Sequence, residues 1–366
     1  MDLDLTLTAD PLQGNAPGGI ISGAWIQQLV IEAHFGTGLA RNKPPWREID
    51  HWLLSLGLSQ YSGDPNLNIA LDTAFPLQTT AHPVGLWLTE AAIERRAAGG
   101  TMTVKAGVMP LNPEFVETPV LNSYIHAALN NTLNLNTAGV PINPFATPAV
   151  MAQLRLWEGS ELGIGQFWLA PVAGIAALFG VTPQQVTDGG TLQILQWSLN
   201  DLPGSTGLAK PLLTNGQTIN RQLPTPRLLL GGYNSSGSQT NRVLYGVATL
   251  ATNLPFALDH RFWLGFNRGL NAANNPNPSF LAGGLLSQGV VPGRPLDVLA
   301  IAYGSTSFSS QLTPGLASEG VLEVNYTLPV SRQLTIQPVV QWILNPAGNS
   351  TRRAVVAGGM QLSLSF

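Results

Sequence analysis

Cysteine is missing from all 366 residues of this chain, and only 10% of them are charged. The first absence excludes a disulfide framework and any thiolate metal centre. The second lies far below the roughly 25% of ordinary soluble domains, so much of the surface must be covered by something other than charge. Long apolar runs are missing as well. The most apolar of the long uncharged stretches, 162–187, is interrupted by Gln166, Pro171 and several glycines. Its dense apolar part, 167–181, falls short of the roughly 20 residues that a spanning helix needs. A net charge of −3 gives no basic footprint for nucleic acid, which is therefore not an expected partner.

Catalytic signatures are lacking too. There is no HExxH, no GxSxG elbow, no P-loop and no GxGxxG, and the GIG at 163–165 has no third glycine. The five histidines, His34, His51, His82, His126 and His260, lack metal-ligand spacing. No enzyme activity, metal or cofactor is expected.

What the chain does have is alternation. Segments of about eight to twelve residues with a period of two recur from end to end, separated by clusters of Gly, Pro, Asn and Ser. In the last thirteen residues Val356, Gly358, Met360, Leu362, Leu364 and Phe366 share one parity, and Ala357, Gly359, Gln361, Ser363 and Ser365 share the other. In 321–328, Leu322, Val324, Tyr326 and Leu328 alternate with Glu323, Asn325 and Thr327; in 334–344, Leu334, Ile336, Val340, Trp342 and Leu344 lie opposite Gln337 and Gln341. An apolar outer face and a polar inner wall fit a membrane barrel, because only helices and closed barrels satisfy every backbone group in lipid.

The predicted fold is thus all-β: one transmembrane antiparallel β-barrel over 1–366 with sixteen strands, from 2–8 to 354–366. Both chain ends then lie on one side. The third external connection, about 109–149, is long enough to fold inward and narrow the pore. A helical insertion is expected in another external loop at about 171–187, and the connection 200–225 is too long for a simple turn. The opening MDLDLTLTAD has neither a basic n-region nor an apolar h-region, so a secretory signal is expected to have been removed. A second reading uses the same alternation to build sandwich cores in a secreted carbohydrate-binding or glycan-processing protein.

GVVPGRPLD at 289–297, VLEVNYTL at 321–328, LTIQPVVQWILNP at 334–346 and the terminal MQLSLSF together resemble the carbohydrate-selective outer-membrane porins of the OprB type. Similarity continues upstream through ATPAVMAQLRLW at 146–157, VKAGVMPLNPEF at 104–115 and the Glu90/Glu94 pair. The resemblance implies passive diffusion of small hydrophilic solutes, monosaccharides or small ions, across a Gram-negative outer membrane. Its expected partners are those solutes and outer-membrane lipid, with a homotrimer among the assemblies such a barrel can form.

Charges at inward parity are the candidate constriction residues: Glu90, Glu94, Lys105 and Arg155, joined by Glu114 and Phe115 where the third external loop begins. Glu323, Asn325, Gln337 and Gln341 are expected to face the lumen elsewhere. Trp25, Trp52, Trp87, Trp263 and Trp342, with the terminal Phe366, are expected at the lipid interfaces, where amphipathic rings are favoured.

Overall fold

A computed structural model describes residues 2–16, 19–36, 50–130, 140–169, 189–200, 202, 212–214, 217–237 and 240–366. The helical insertion expected at 171–187 lies outside them.

Eighteen strands are present among the described residues. The first eight are β1 (Asp2–Asn15), β2 (Ile21–Gly36), β3 (His51–Gly63), β4 (Gly85–Ala97), β5 (Met102–Met109), β6 (Thr147–Trp157), β7 (Ser160–Trp168) and β8 (Thr191–Asn200). A small hairpin follows, β9 (Leu212–Thr214) with β10 (Gln217–Ile219). The remainder are β11 (Arg227–Ser236), β12 (Asn241–Thr252), β13 (Asp259–Gly269), β14 (Ser279–Gln288), β15 (Val298–Ser307), β16 (Glu319–Pro329), β17 (Leu334–Leu344) and β18 (Val355–Ser365). All but the hairpin form one closed antiparallel barrel of sixteen strands, sealed where β1 meets β18 with Thr6 opposite Ser365. The long connection after Asn200 therefore does not disturb the predicted count, since β8 and β11 are direct neighbours.

Alternation decides the faces. Leu154, Leu156, Ile164, Leu195, Leu244, Leu264 and Leu281 all point outward and are exposed. Large apolar residues on the outside of a sheet with no second layer are stable only against lipid, which removes the sandwich reading. Exposed Trp52 and Trp157, with Phe366, ring the end that carries the termini; Trp25 and Trp168, with Trp342, ring the far end. Two aromatic girdles thus bracket the apolar band.

Two predicted belt residues are instead inside. Trp263 on β13 is fully buried and shares its parity with Asn267 and Arg261. Trp87 on β4 is 2% exposed, because the β3–β4 pairing slips by one residue between Gly57 and Leu58, leaving Thr89 without a register partner. Such a bulge reverses the parity of everything beyond it, so Trp87 and Glu90 both reach the inner wall.

The inner wall is also less uniformly polar than the alternation suggests. Its sector from β6 to β15 carries buried Met151, Phe167, Ile194, Leu229, Val247 and Phe280, whereas β1 to β5 carry Glu32, Ser59, Glu90, Glu94 and Lys105. The apolar sector is dry because chain from the far-end loops packs against it.

Candidate pore constriction

Residues 110–130, which follow β5, lie inside the barrel on that apolar sector. Leu111, Phe115, Val116, Val120, Leu121, Tyr124, Ile125 and Leu129 are buried, while Pro113, Pro119 and Asn122 remain exposed toward the lumen. Burying this apolar face is what holds the segment down. Each large side chain removed from water contributes about 1.5–3 kcal/mol.

Polar contacts fix its register. The buried Glu323 carboxylate on β16 accepts the N–H of Ile125 at 2.8 Å and of His126 at 2.7 Å. Its oxygens also accept the side-chain amides of Asn325 (2.7 Å) and Gln341 (3.1 Å). Asn325 and Gln337 each donate to the Ser123 carbonyl at 2.9 Å. Trp263 donates through Nε1 to the Tyr124 hydroxyl at 2.9 Å. Burial pushes the His126 imidazole down to about 3, and its Nδ1 accepts the Ala128 N–H. The same burial raises the Tyr124 phenol.

At the start of the segment Phe115 sits edge-on to Phe167, ring centroids 6.2 Å apart. It rests on Gly163 and Gly165 of β7, where an added Cβ would meet its ring atoms at 3.0–3.1 Å. The GIG read in the sequence as an incomplete nucleotide motif is therefore a seat for an aromatic ring. Val116 takes a φ of +60°, a left-handed conformation that a β-branched residue rarely adopts. Its N–H donates to Gln196 Oε1 at 2.7 Å, and that oxygen also accepts the Tyr245 hydroxyl at 2.9 Å.

At the edge of the apolar sector, Lys105 on β5 bridges two carboxylates: Glu90 on β4 at 2.6 Å and Glu114 at the start of the inward segment. Lys105 is itself 9% exposed, and its partners are 22% and 19% exposed, so the cluster borders open lumen. Glu94 stands opposite Lys105 in the strand register but pairs with Arg96. Arg155 faces inward on β6, four residues beyond Met151, the register partner of Lys105. At about 3.3 Å per residue it lies roughly 13 Å along the wall, toward the end with the termini. The structure brings Glu90, Lys105 and Glu114 together and leaves Arg155 apart.

The far edge of the segment and a second connection, the latter not read from the sequence as part of this site, also contribute. Glu117 on the exposed edge of the segment accepts from Asn122 Nδ2 at 3.0 Å, and burial raises its carboxyl. The connection between β3 and β4 also turns inward. Its Leu67, Leu71, Phe75 and Leu77 are buried, the Pro76 carbonyl accepts the Ala127 N–H, and the Leu77 carbonyl accepts from Gln341. The available signal was its length together with four apolar residues in a segment between two strands.

Comparison with known proteins agrees with this architecture. A family model described as carbohydrate-selective porin, OprB family, matches residues 68–366. The high-pH structure of Pseudomonas putida OprB superposes with a TM-score of 0.81 at 15% identity, covering 100% of this chain and 94% of that one. A mutant of the Rh. blastica porin superposes with a TM-score of 0.58 at 11% identity, covering 100% and 99%. No curated protein matches by sequence. With the family model spanning most of its length, the chain belongs to the carbohydrate-selective OprB porin family.

Proposed function

We propose that the barrel lets small sugars, and small ions beside them, diffuse passively through a lumen narrowed by residues 110–130. Family membership makes the chain an outer-membrane porin for sugars and not an enzyme. The observation that carries the finer reading is the inward segment itself, anchored across the barrel on Glu323 and meeting the opposite wall at Lys105. On one side of the passage stand Glu90, Lys105 and Glu114; on the segment's exposed edge stand Glu117 and Asn122. A pyranose has hydroxyl edges that such carboxylates and amides can pair with, and weak, multiple contacts allow release. Glu94, beside Lys105 in the strand register, and Arg155, nearer the exit, line the same wall as a continuing polar track.

The test is single-channel recording in planar bilayers with and without monosaccharides, together with swelling of sugar-loaded liposomes. Partial block of the ion current by sugar, and swelling in monosaccharide but not in a large oligosaccharide, are expected. A silent barrel, or one whose current sugars leave untouched, overturns the proposal.

A further inference from the structure

By strand register, every carboxylate on the described strands lies on the inner face, from Asp10 and Glu32 to Glu319 and Glu323. Two arginines do the opposite at the far end of the barrel. Arg242 on β12 and Arg268 on β13 are exposed on the outer face, and Arg268 lies opposite Leu244, two residues from Arg242. The neighbouring strands continue the feature. Arg242 is opposite Asn234 of β11, Asn234 is opposite Gln193 of β8, and Gln193 is opposite Gln166 of β7. The result is one row of outward polar side chains, two residues along β7 from exposed Trp168. Beside it a groove of about 750 Å³, with mostly apolar walls, passes over Val150, Ile164, Leu195 and Leu244.

Outward arginines in a lipid-facing band are unfavourable unless an anion meets them. A second copy of the chain would bring no carboxylate from its described strands at that depth, since those are turned inward. A lipid phosphate would pair with both guanidinium groups through charge-assisted hydrogen bonds. The three carboxamides offer donors and acceptors to sugar hydroxyls beside it. We propose that this face binds a phosphorylated glycolipid of the outer leaflet, its phosphate on Arg242 and Arg268, its sugar along Asn234, Gln193 and Gln166, and an acyl chain in the groove. The site rests on the membrane assignment but not on the pore reading, because it lies on the other side of the wall.

The probe is diphosphorylated lipid A, with its dephosphorylated counterpart as control, added to delipidated protein in detergent and followed by native mass spectrometry. Wild-type protein should retain the phosphorylated lipid at least about tenfold better than the control, and R242Q/R268Q should lose that difference. R242K/R268K should recover part of it, and heat-modifiable migration should show that all three barrels fold. Equal retention of the two lipids, or a double Gln variant that binds like wild type, overturns the proposal. So does a double Gln variant whose only change is a smaller oligomer by light scattering, which would make the face a contact between copies. Sugar flux through R242Q/R268Q should equal wild type. A chain that conducts sugar but ignores the phosphate sinks this site alone, and a chain that binds lipid but conducts nothing sinks the pore reading alone.

Discussion

Glu323 holds His126 by its backbone and not by its ring: the carboxylate accepts the His126 N–H at 2.7 Å, while the imidazole turns back to accept from Ala128 within its own segment. A strand residue thus fixes the tip of a segment almost two hundred positions away. The partner it chooses is one that no substitution at 126 except proline can remove.

Replacing Glu323 with Gln keeps the shape but turns one acceptor into a donor facing an N–H group. Hydrogen bonds to a charged group contribute about 1.5–3 kcal/mol each, so Glu323→Gln should weaken the attachment of the tip by about 3 kcal/mol. Glu323→Ala should weaken it further. Planar-bilayer recording should show larger conductance and more open-channel noise in the order wild type, Gln, Ala. Identical traces would mean that apolar burial alone holds the segment.

Acid should act on the same place through His126. Its buried imidazole titrates at about 3, whereas an exposed one titrates at about 6.5. Between those values the released segment binds a proton that the packed segment refuses, so packing is fully stable above about pH 6.5 and weakens as the pH falls toward 3. Channel noise should rise on acidification of the wild type. His126→Asn keeps an acceptor for the Ala128 N–H without titrating there, and its noise should stay flat over the same range.

The aromatic seat makes a steric prediction. A Cβ at Gly165 would meet Phe115 and Phe167 ring atoms at 3.0 Å, so Gly165→Val should cost about 1–3 kcal/mol by overpacking. The temperature of heat-modifiable migration should fall. Pairing it with Phe115→Leu should recover much of the loss, and a loss unchanged by that second substitution would place the strain elsewhere.

Charge at the proposed constriction is testable by selectivity. Lys105→Met leaves Glu90 and Glu114 without their shared cation, so the reversal potential in a salt gradient should shift toward cation preference. Glu90→Gln combined with Glu94→Gln should shift it the other way. Both shifts should shrink as salt rises, because the Debye length falls from about 10 Å at 0.1 M to about 3 Å at 1 M. An unmoved potential would take these carboxylates out of the narrowest part of the path.

The barrel was legible because the period of two is imposed by the backbone at every strand. Val356 and Met360 outside, with Ala357 and Gln361 inside, follow from parity alone, as do the inward positions of Glu323, Asn325, Gln337 and Gln341. Trp87 was not legible, because the unpaired Thr89 reverses its face and nothing local marks the slip. Nor was the function of Glu323 as an anchor. Parity says which way a carboxylate points, but its partners Ile125 and His126 are set by a loop whose path depends on the apolar wall across the barrel. Lys105 could be placed on the inner wall and Glu114 at the start of the loop. Their meeting, and the distance of Arg155 from it, depended on how far the chain runs before it turns inward.

The seam between Thr6 and Ser365 has a consequence for biogenesis. Until β18 arrives, β1 and β17 are both open edges, and hydrocarbon has no water with which to hydrogen-bond their backbone groups. A fifteen-strand intermediate is therefore not a smaller pore but an uninsertable sheet. Closure at this one seam decides whether any of the other strands can enter the bilayer.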